Sequence, residues 1–302
     1  MSRQTSVGEA PARVVYETFG LPKSTFYAAL DRRRPENTTP TAKQPEAATS
    51  NQVKTLRTTV PTDILVAAIK AVIDEYPAWG VRKVWATLRR QGLRVSRRRV
   101  WKVMKARGWT LPAVCANRKE QPRGHVAVPY PNRLLATDLT TVQTAQDGTV
   151  AVVITVDCGC RSVLDVTATK SQEAPDVLAS LDRGLVAAFG CPDRVPDGVD
   201  IRSDHGPQYT GGDAEALCEA WGVTHTFSPV GRPTGNAVAE RTIQTMKVEC
   251  IWVEDFDSIE ELDAALQAWK HNFNHNRPHQ ALDYATPAEY RATALGLLSE
   301  AA

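Results

Sequence analysis

Long apolar segments are missing from this chain of 302 residues, and no run of about 18 or more apolar residues occurs that could form a transmembrane helix. The first residues, Met-Ser-Arg-Gln-Thr-Ser, lack the apolar stretch of a signal peptide, so we expect neither secretion nor membrane insertion. The six cysteines form no Cys-x-x-Cys pair and no zinc-like group. A cytoplasmic protein with reduced thiols is the expectation, and its 42% hydrophobic content is enough for a sizeable core.

The net charge of +2 conceals a strong asymmetry along the chain. Residues 1–130 carry 24 Lys and Arg against 9 Asp and Glu, a net charge of +15, whereas the remainder carries 12 against 25, a net charge of −13. A basic stretch gains affinity for polyanions by displacing counterions from phosphates. The acidic part can approach such a partner only with the help of cations. The split therefore predicts a DNA-binding N-terminal part joined to a metal-dependent C-terminal part.

Three acids stand out in the acidic part. Asp204 lies in Arg-Ser-Asp-His-Gly (202–206), Glu240 in Gly-Asn-Ala-Val-Ala-Glu-Arg (235–241), and Asp138 in Ala-Thr-Asp-Leu-Thr (136–140). Carboxylates that converge from distant parts of a chain repel one another unless a cation holds them, and hard oxygen ligands suit Mg²⁺ or Mn²⁺. Two such ions can activate an oxygen nucleophile and stabilise the leaving oxygen of a phosphodiester. The pattern predicts a metal-dependent nuclease site, although a chain with 34 acidic residues could contain two Asp and a Glu at this spacing by chance.

The basic part is expected to contain two helical modules. Residues 1–34 show a helical pattern broken at Gly20 and capped again at Ser24, typical of a small helix-turn-helix. Residues 35–61 are rich in Pro, Thr, Ala, Gln and Asn and predict a flexible linker. A second helical module is predicted at 62–110, with Asp63 capping its first helix and Ser96 opening its third, and an extended connector follows at 111–133.

The third helix of that module carries a basic face. Apolar Val100, Val103 and Met104 mark its buried stripe and leave the arginines and lysines for a partner. The alternative is an ordinary solvated charged face, but the helix follows another through a short glycine turn, which favours a recognition helix. The residues predicted to contact DNA are Arg82, Lys83, Arg97, Arg98, Lys102, Lys105, Lys247 and Arg277, with Arg99 a weaker candidate.

The remainder of the chain predicts an α/β core. Strands are expected at 134–142, 149–157, 162–167, 200–203 and 223–227, and helices at 174–189, 213–221 and 236–251. Neighbouring strands followed by alternating helices and strands imply a mixed sheet flanked by helices. On the last helix, Ala239, Ile243, Met246 and Cys250 form one stripe, while Glu240, Gln244 and Lys247 form its neighbour.

The ordered motifs resemble the DDE transposases of bacterial insertion sequences, whose catalytic core is like retroviral integrase, and most closely the insertion-sequence-3 group. The motifs around the three acids carry the resemblance, together with Phe-Asn (273–274) and Arg-Pro-His-Gln-Ala-Leu (277–282). Upstream, Trp-Gly-Val-Arg-Lys (79–83) and Val-Trp-Lys-Val-Met-Lys (100–105) are similar to the basic helical module of that group. The resemblance covers nearly the whole chain.

The resemblance implies an RNase-H-like integrase core at 134–255, preceded by small all-α helix-turn-helix modules and followed by a C-terminal helical segment at 256–302. Asp138 would lie on the first strand, Asp204 after the fourth, and Glu240 on a later helix. It also implies a homo-oligomer acting on paired double-stranded DNA ends and a target, in the nucleoid of the cytoplasm and away from membranes.

The hypothesis is a transposase that uses two Mg²⁺ or Mn²⁺ ions, with Asp138 and Asp204 holding one ion and Asp138 and Glu240 the other. It would nick the element's ends and join the freed 3′ hydroxyl to a new phosphodiester. Two alternatives remain open at this point: a DNA-binding regulator of transposition with a silent core, and an RNase-H-like nuclease that only hydrolyses. Detection of metal-dependent nicking and of joined products separates the three.

Overall fold

The computed structural model describes residues 60–112, 128, 130–228 and 236–296. The predicted helix-turn-helix at 1–34, nearly all of the linker at 35–61 and much of the connector at 111–133 lie outside the described residues. The chain divides into two units, and every described residue belongs to the second unit, Arg57–Ala302. None of the helices in the described ranges is long and apolar enough to cross a membrane.

A three-helix module begins the described chain. Helices α1 (Thr62–Glu75), α2 (Val81–Arg90) and α3 (Arg97–Ala106) enclose one apolar cluster, to which their buried faces contribute Leu65, Ile69, Val84, Leu88, Val100 and Met104. The predicted cap of α3 is confirmed, because the Ser96 hydroxyl accepts from the backbone N–H of Arg99 at 3.3 Å.

The predicted cap of α1 is wrong. Pro61 occupies the N-cap position without a side-chain hydrogen bond, and Asp63 lies inside the first turn. Proline fits there because its fixed φ is compatible with the extended backbone of Pro61, at φ −53° and ψ 150°, and the first N–H groups of a helix need no partner within the helix. Asp63 still suits the first turn, where the helix dipole favours a negative charge.

Five strands form one mixed sheet in the order β3-β2-β1-β4-β5. They are β1 (Leu134–Thr144), β2 (Gly148–Asp157), β3 (Val163–Thr169), β4 (Asp200–Ser203) and β5 (Thr224–Phe227). The first three pair antiparallel, and β4 and β5 extend the sheet in parallel with β1. The predicted strands and the α/β class with a mixed sheet are confirmed. β2 is buried from Val150 to Asp157, which explains why its sequence reads as a continuous β-branched run.

Helices cover both faces of the sheet. On one face lie α4 (Ala174–Phe189), the one-turn α5 (Pro207–Thr210) and α6 (Gly212–Trp221), packed against Leu135 and Val153. On the other lie α7 (Ala237–Met246) and α8 (Ile259–His275), packed against Ala136 and Ile154. Successive residues of a strand point to opposite faces, so Asp138 shares the α7 side of the sheet with Ala136, whereas Thr137 faces the other side.

The last predicted helix of the core differs from the expectation of one helix over 236–251. The α-helix ends at Met246, and Lys247–Ile251 forms a π-helical turn. The predicted apolar stripe is nevertheless confirmed, because Ala239, Ile243, Met246 and Cys250 are all buried. A wider turn inserts a residue without breaking the helix, and it sets the direction in which the next residues point.

The C-terminal residues complete the core. Leu262, Leu266, Trp269 and Phe273 of α8 belong to the same apolar cluster as β1 and β2. A 3₁₀ turn (Gln280–Leu282) then leads to α9 (Pro287–Ala294). Asp157, a fully buried acid outside the motifs, accepts from Arg291 of α9 at 2.9 Å and from backbone N–H groups of its own turn. That carboxylate fastens the end of the chain to the sheet.

Candidate active site

The parallel pairing of β1 and β4 brings the first two acids together. The register pairs Ala136 with Arg202, and each acid stands two residues further along its own chain. Asp138 faces the α7 side of the sheet with Ala136, and Asp204 follows β4 closely enough for its charge to act on Asp138. Neighbouring strands are only about 4.8 Å apart. β4 ends at Ser203, so Asp204 stands at the open carboxyl end of its strand.

Glu240 reaches the same place through a buried contact at the start of α7. The side-chain amide of Asn236 donates to the backbone carbonyl of Thr137 at 3.1 Å, in the residue that precedes Asp138. The backbone N–H of Glu240 in turn donates to the carbonyl of Asn236 at 3.0 Å. Glu240 thus stands one helical turn from a point that is fixed to β1 beside Asp138.

The electrostatics of Asp138 link the three carboxyl groups. Its pKa is raised to about 6, mainly because burial disfavours the charged form and further because the charges of Asp204 and Glu240 repel it. The backbone N–H of Leu139, which donates to Asp138 at 2.9 Å, and the Lys247 ammonium act in the opposite direction. The site is short of positive charge, as expected where a cation is to be held.

The loop that carries Asp204 is ordered by its own hydrogen bonds. The Asp204 carboxylate accepts from the backbone N–H of Gly206 at 2.9 Å. The Ser203 hydroxyl donates to the Asp204 carbonyl at 2.8 Å and lies 2.9 Å from Nε2 of His225. Burial lowers the pKa of His225, and since the serine has given its single proton to Asp204, Nε2 is the donor in that contact. His205 stacks on Phe227 with ring centroids 5.0 Å apart, next to this loop.

A second buried contact fixes the segment behind Asp204. The Tyr209 hydroxyl lies 3.1 Å from the Thr137 hydroxyl, and both side chains are almost fully buried. Thr137 therefore joins two parts of the site: its carbonyl holds α7 and its side chain holds α5. Sequence reasoning did not find Thr137, Tyr209 or Asn236 as positioning residues. Thr137 and Asn236 lie in the motifs around Asp138 and Glu240, and Tyr209 follows the Asp204 motif by three residues, but no periodicity or spacing connects them.

The predicted DNA-contacting residues fall into two groups. The basic residues of α3 are exposed, namely Arg97, Arg98, Lys102 and Lys105. Trp101 is exposed on the same helix, and the Lys105 ammonium lies 5.0 Å from its ring centroid. Arg99 differs, because its guanidinium donates to the Val60 carbonyl at 2.6 Å and so holds the start of α1.

The second group lies where the helical module meets the core. Lys83 and Arg277 share the Glu249 carboxylate, at 2.6 Å and 2.9 Å, in a largely buried cluster. Arg82 donates to the Gln280 side chain at 2.8 Å. Lys83 and Arg277 were predicted to contact DNA, and that stays a prediction. In the structure both are paired with Glu249 on the π-helical turn, whose single carboxylate offsets one of their two positive charges. Lys247 interacts with Asp138 instead.

The donor set fits hard divalent cations. Carboxylate oxygens from three elements suit Mg²⁺ or Mn²⁺, and the raised pKa of Asp138 records a site that gains from added positive charge. Within the described part of the chain, no three acidic, His or Cys side chains are already grouped closely enough to hold a metal ion. The fit therefore rests on ligand chemistry and electrostatics.

Known families match the chain along most of its length. A model described as an HTH-like domain matches residues 62–119, and two models described as an integrase core domain match 129–233 and 212–287. The integrase-core matches together span more than half of the chain.

Two similar relatives come from bacterial insertion elements. The insertion element IS407 uncharacterized 31.7 kDa protein of Burkholderia multivorans is 28% identical over 236 residues, covering 76% of this chain and 81% of that protein. Transposase InsD for insertion element IS2 of Escherichia coli is 28% identical over 243 residues, covering 78% of this chain and 80% of that protein.

Solved structures of viral integrases are also similar. The HTLV-2 integrase catalytic core domain in complex with magnesium is 15% identical with a TM-score of 0.39, covering 54% of this chain and 97% of that one. The simian T-cell lymphotropic virus intasome in complex with PP2A regulatory subunit B56 gamma is 17% identical with a TM-score of 0.43, covering 74% of each chain. On the integrase-core and HTH-like matches and the transposase relatives, the chain belongs to the insertion-sequence transposases with an integrase-type catalytic core, enzymes of DNA strand transfer.

Proposed function

We propose that Asp138, Asp204 and Glu240 form the catalytic site with which this transposase nicks the ends of its element and joins the freed 3′ hydroxyl to a new phosphodiester. The raised pKa of Asp138, which results from burial and from the charges of the other two acids, is the observation that carries the assignment. Mutual repulsion of carboxyl groups from a strand, a loop and a helix destabilises the fold, and carboxyl groups with such perturbed pKa values are concentrated at functional sites.

Two Mg²⁺ or Mn²⁺ ions are the proposed cofactors, with Asp138 and Asp204 as ligands of one and Asp138 and Glu240 as ligands of the other. When bound, such ions activate the attacking oxygen and stabilise the leaving oxygen at phosphorus. The residues of the chain hold the carboxylates in place: Leu139 and Gly206 donate backbone N–H groups to Asp138 and Asp204, and Asn236 fixes the helix of Glu240.

The reaction proceeds in two steps that balance without an external energy source. Water attacks a phosphodiester at the element's end, the bond to the 3′ oxygen breaks, and the products are a 3′ hydroxyl and a 5′ phosphate. That hydroxyl then attacks a phosphodiester of the target, whose own 3′ oxygen leaves. One phosphodiester forms as one breaks in the second step, so no covalent protein intermediate is needed.

The helical module at 62–110 is proposed to bind the element's double-stranded ends through the exposed face of α3, where Arg97, Arg98, Lys102 and Lys105 meet phosphates and base edges. Arg82 and Lys247 are proposed to contact the backbone near the core at 134–255. A further module at 1–34, joined by the linker at 35–61, the connector at 111–133 and the helical segment at 256–302 complete the proposed organisation. A homo-oligomer on paired ends, in the bacterial nucleoid, is the proposed working form.

The test uses duplexes with the terminal repeats that flank the gene, incubated with protein and Mg²⁺ or Mn²⁺. The variants Asp138→Asn, Asp204→Asn and Glu240→Gln keep side-chain size and remove the charge. We expect each to lower nicking and joining by at least about 10³-fold, which corresponds to about 4 kcal/mol of lost transition-state stabilisation. Binding of the ends, measured by gel shift, should remain. Asp213→Asn, an exposed acid on α6, is the matched control.

Persistent metal-dependent joining by any of the three variants would contradict the assignment. Wild-type protein that binds the ends but never nicks them would be a regulator with a silent core. Hydrolysis without joined products would indicate a nuclease of the RNase H type.

A further inference from the structure

A series of basic cavities runs from α3 to the candidate active site. The outermost is lined by Val81, Arg82, Arg97, Arg98 and Trp101. The next shares Val81 and Arg82 with it and adds Lys83, Arg241 and Arg277, and the innermost shares Arg241 and Arg277 with the second. Among the described residues that line the three cavities there is no Asp or Glu. The innermost cavity is lined only by residues of the part of the chain whose net charge is −13, so there the arginines are a local concentration of positive charge.

The innermost cavity, the arginine pocket, has a volume of about 470 Å³ and is lined by residues close in sequence to two of the acids. Arg202 lies two residues before Asp204, and Arg241 follows Glu240 on α7. The arginines in its lining are Arg161, Arg202, Arg241 and Arg277.

Of these four, Arg277 is paired with Glu249, which lies outside the lining. Arg202 reaches the Thr226 hydroxyl with Nε at 3.5 Å. Arg161 comes from the turn between β2 and β3 and has a left-handed backbone, with φ of 64°. Guanidinium groups gathered in one cavity repel one another, and an anion with several oxygens would relieve that repulsion. A phosphate group accepts the planar pair of guanidinium donors with two of its oxygens and has further oxygens for a second arginine.

The pocket also contains an acceptor that has no partner. Asn236 is 4% exposed, and its side-chain amide nitrogen is engaged by Thr137, so its oxygen is left without a hydrogen bond. Phosphodiesters carry no donor that could satisfy it. A nucleotide does, through an exocyclic amino group of its base or a terminal 3′ hydroxyl. A nucleotide therefore supplies both groups that the pocket calls for, an anionic phosphate for the arginines and a donor for the amide oxygen.

We propose that the arginine pocket binds a nucleotide of the DNA strand that enters the active site, with Arg161 and Arg241 on its phosphate and Asn236 on its base or terminal hydroxyl. The inference rests on the proposed function and adds a substrate subsite to it. A volume of about 470 Å³ is enough for one nucleotide. The outer cavities form the path along which the same DNA reaches α3.

The experiment measures binding of an element end with a single-stranded 3′ overhang by fluorescence anisotropy, across a range of salt concentrations and with a chelator present. The variants are Arg161→Asn and Arg241→Gln. Asparagine tolerates the left-handed backbone of Arg161, and glutamine keeps the helix propensity at Arg241. Arg194→Gln, an exposed arginine outside the three cavities, is the matched control, and Arg241→Lys tests rescue by charge.

We expect each pocket variant to weaken binding and to reduce the slope of log K against log salt by about 0.7 to 0.9, the value for one lost phosphate contact. The control should keep the wild-type slope, and Arg241→Lys should recover most of it. Unchanged slopes in both pocket variants would overturn the inference. So would efficient competition by inorganic phosphate alone, whereas competition by a nucleoside monophosphate but not by phosphate supports it.

The chelator separates this test from the proposed function, because binding is read without any cleavage. If wild-type protein nicks DNA with Mg²⁺ but the pocket variants keep their slopes, the pocket inference fails and the catalytic assignment stands. If wild-type protein never nicks DNA but the slopes fall, the catalytic assignment fails and the pocket remains a strand-binding site.

Discussion

The side-chain amide of Asn236 donates a buried hydrogen bond of 3.1 Å to the backbone carbonyl of Thr137. The bond joins the residue before Asp138 to the start of the helix that carries Glu240. Two of the three acids thus owe their relative position to one contact between residues that are 99 positions apart in the chain. Neither partner is an acid, and neither needs to touch a substrate phosphate to influence catalysis.

Asn236→Ala should lower both stability and activity. It leaves the Thr137 carbonyl buried without a donor, at a cost of about 1 to 3 kcal/mol. It also frees the start of α7, and we expect nicking to fall by about 10-fold or more, because displaced catalytic groups lose rate steeply. Thermal unfolding and a metal-dependent nicking assay measure the two effects. Asn276→Ala, an exposed asparagine at the end of α8, is the control, and wild-type nicking by Asn236→Ala would contradict the positioning role.

The Thr137 and Tyr209 hydroxyls should show energetic coupling. Tyr209→Phe and Thr137→Val each leave one buried hydroxyl without its partner, so each should cost about 1 kcal/mol or more. The double variant leaves no orphaned hydroxyl, and its loss should be smaller than the sum of the two. Urea denaturation of the four proteins gives the coupling energy. Strict additivity would show that the contact contributes nothing to the placement of α5.

Removal of the Asp138 charge should stabilise the protein when no divalent ion is present. The pKa of Asp138 lies at about 6 in the folded protein, mainly because of burial, above the ordinary value of 3.8. At pH 7 the Asp138 carboxylate is charged in both states, but its ionisation costs more free energy in the folded state. Asp138→Asn removes that cost, so its free energy of unfolding should rise by about 1 to 3 kcal/mol in a chelating buffer. The gain should shrink as the pH falls from 6 towards 4, where the wild-type carboxyl takes up its proton.

The measurement is the melting temperature across that pH range, with the exposed Asp213→Asn as the control. A lower melting temperature for Asp138→Asn at pH 7 would show that the carboxylate is favourably solvated, and the electrostatic argument for a cation site would fail with it.

Glu249→Gln should destabilise the protein more than Lys83→Met does. Glu249 is bound by both Lys83 and Arg277, and its removal leaves two buried cations that repel each other, at a cost of about 3 kcal/mol. Burial and the Arg277 charge already lower the pKa of Lys83, against the opposing effect of Glu249. Lys83→Met keeps the aliphatic stem and the remaining ion pair, so about 1 kcal/mol or less is expected. Urea denaturation decides the order, and a reversed order would exclude the shared-carboxylate arrangement.

The ion pair between Arg90 and Glu289 should give a pH-dependent contribution to stability. Arg90 contacts Glu289 at 2.7 Å and is the main cause of a Glu289 pKa lowered to about 2, against an ordinary value of 4.5. A depressed carboxyl pKa adds stability above pH 4.5, and the contribution is lost as the pH falls towards 2. Both side chains are about half exposed, so solvent screening limits the effect to about 1 kcal/mol.

Glu289→Gln isolates this effect, because glutamine preserves the capping box with Thr286. The melting temperatures of the variant and the wild type should differ at pH 7 and converge only as the pH falls to about 2, the folded-state pKa of Glu289. Arg90→Gln should show the same pattern. A difference that persists undiminished at pH 2 would assign the effect to packing.

The order of residues along the chain was enough to predict the strands and helices of the core and to single out three acids. β2 reads as an uninterrupted β-branched run because both of its faces are buried, and the stripe from Ala239 to Cys250 shows helical spacing because one face of α7 is buried. Such patterns are local, because the hydrophobicity of each residue indicates whether that residue is buried. The charge split between the two parts of the chain is likewise a property of composition.

The partners of the charged and polar groups could be identified only from the folded structure. Lys83 and Arg277 were predicted to contact DNA, and in the structure they share Glu249, which is 166 positions away from Lys83. Asn236 and Arg202 were given no role in the sequence analysis, and in the structure both line the arginine pocket. Periodicity predicts which side of a helix or strand is buried, but it does not identify the residues that pack against that side. Hydrogen bonds and ion pairs depend on distances between elements, and these distances are set by how whole elements pack together.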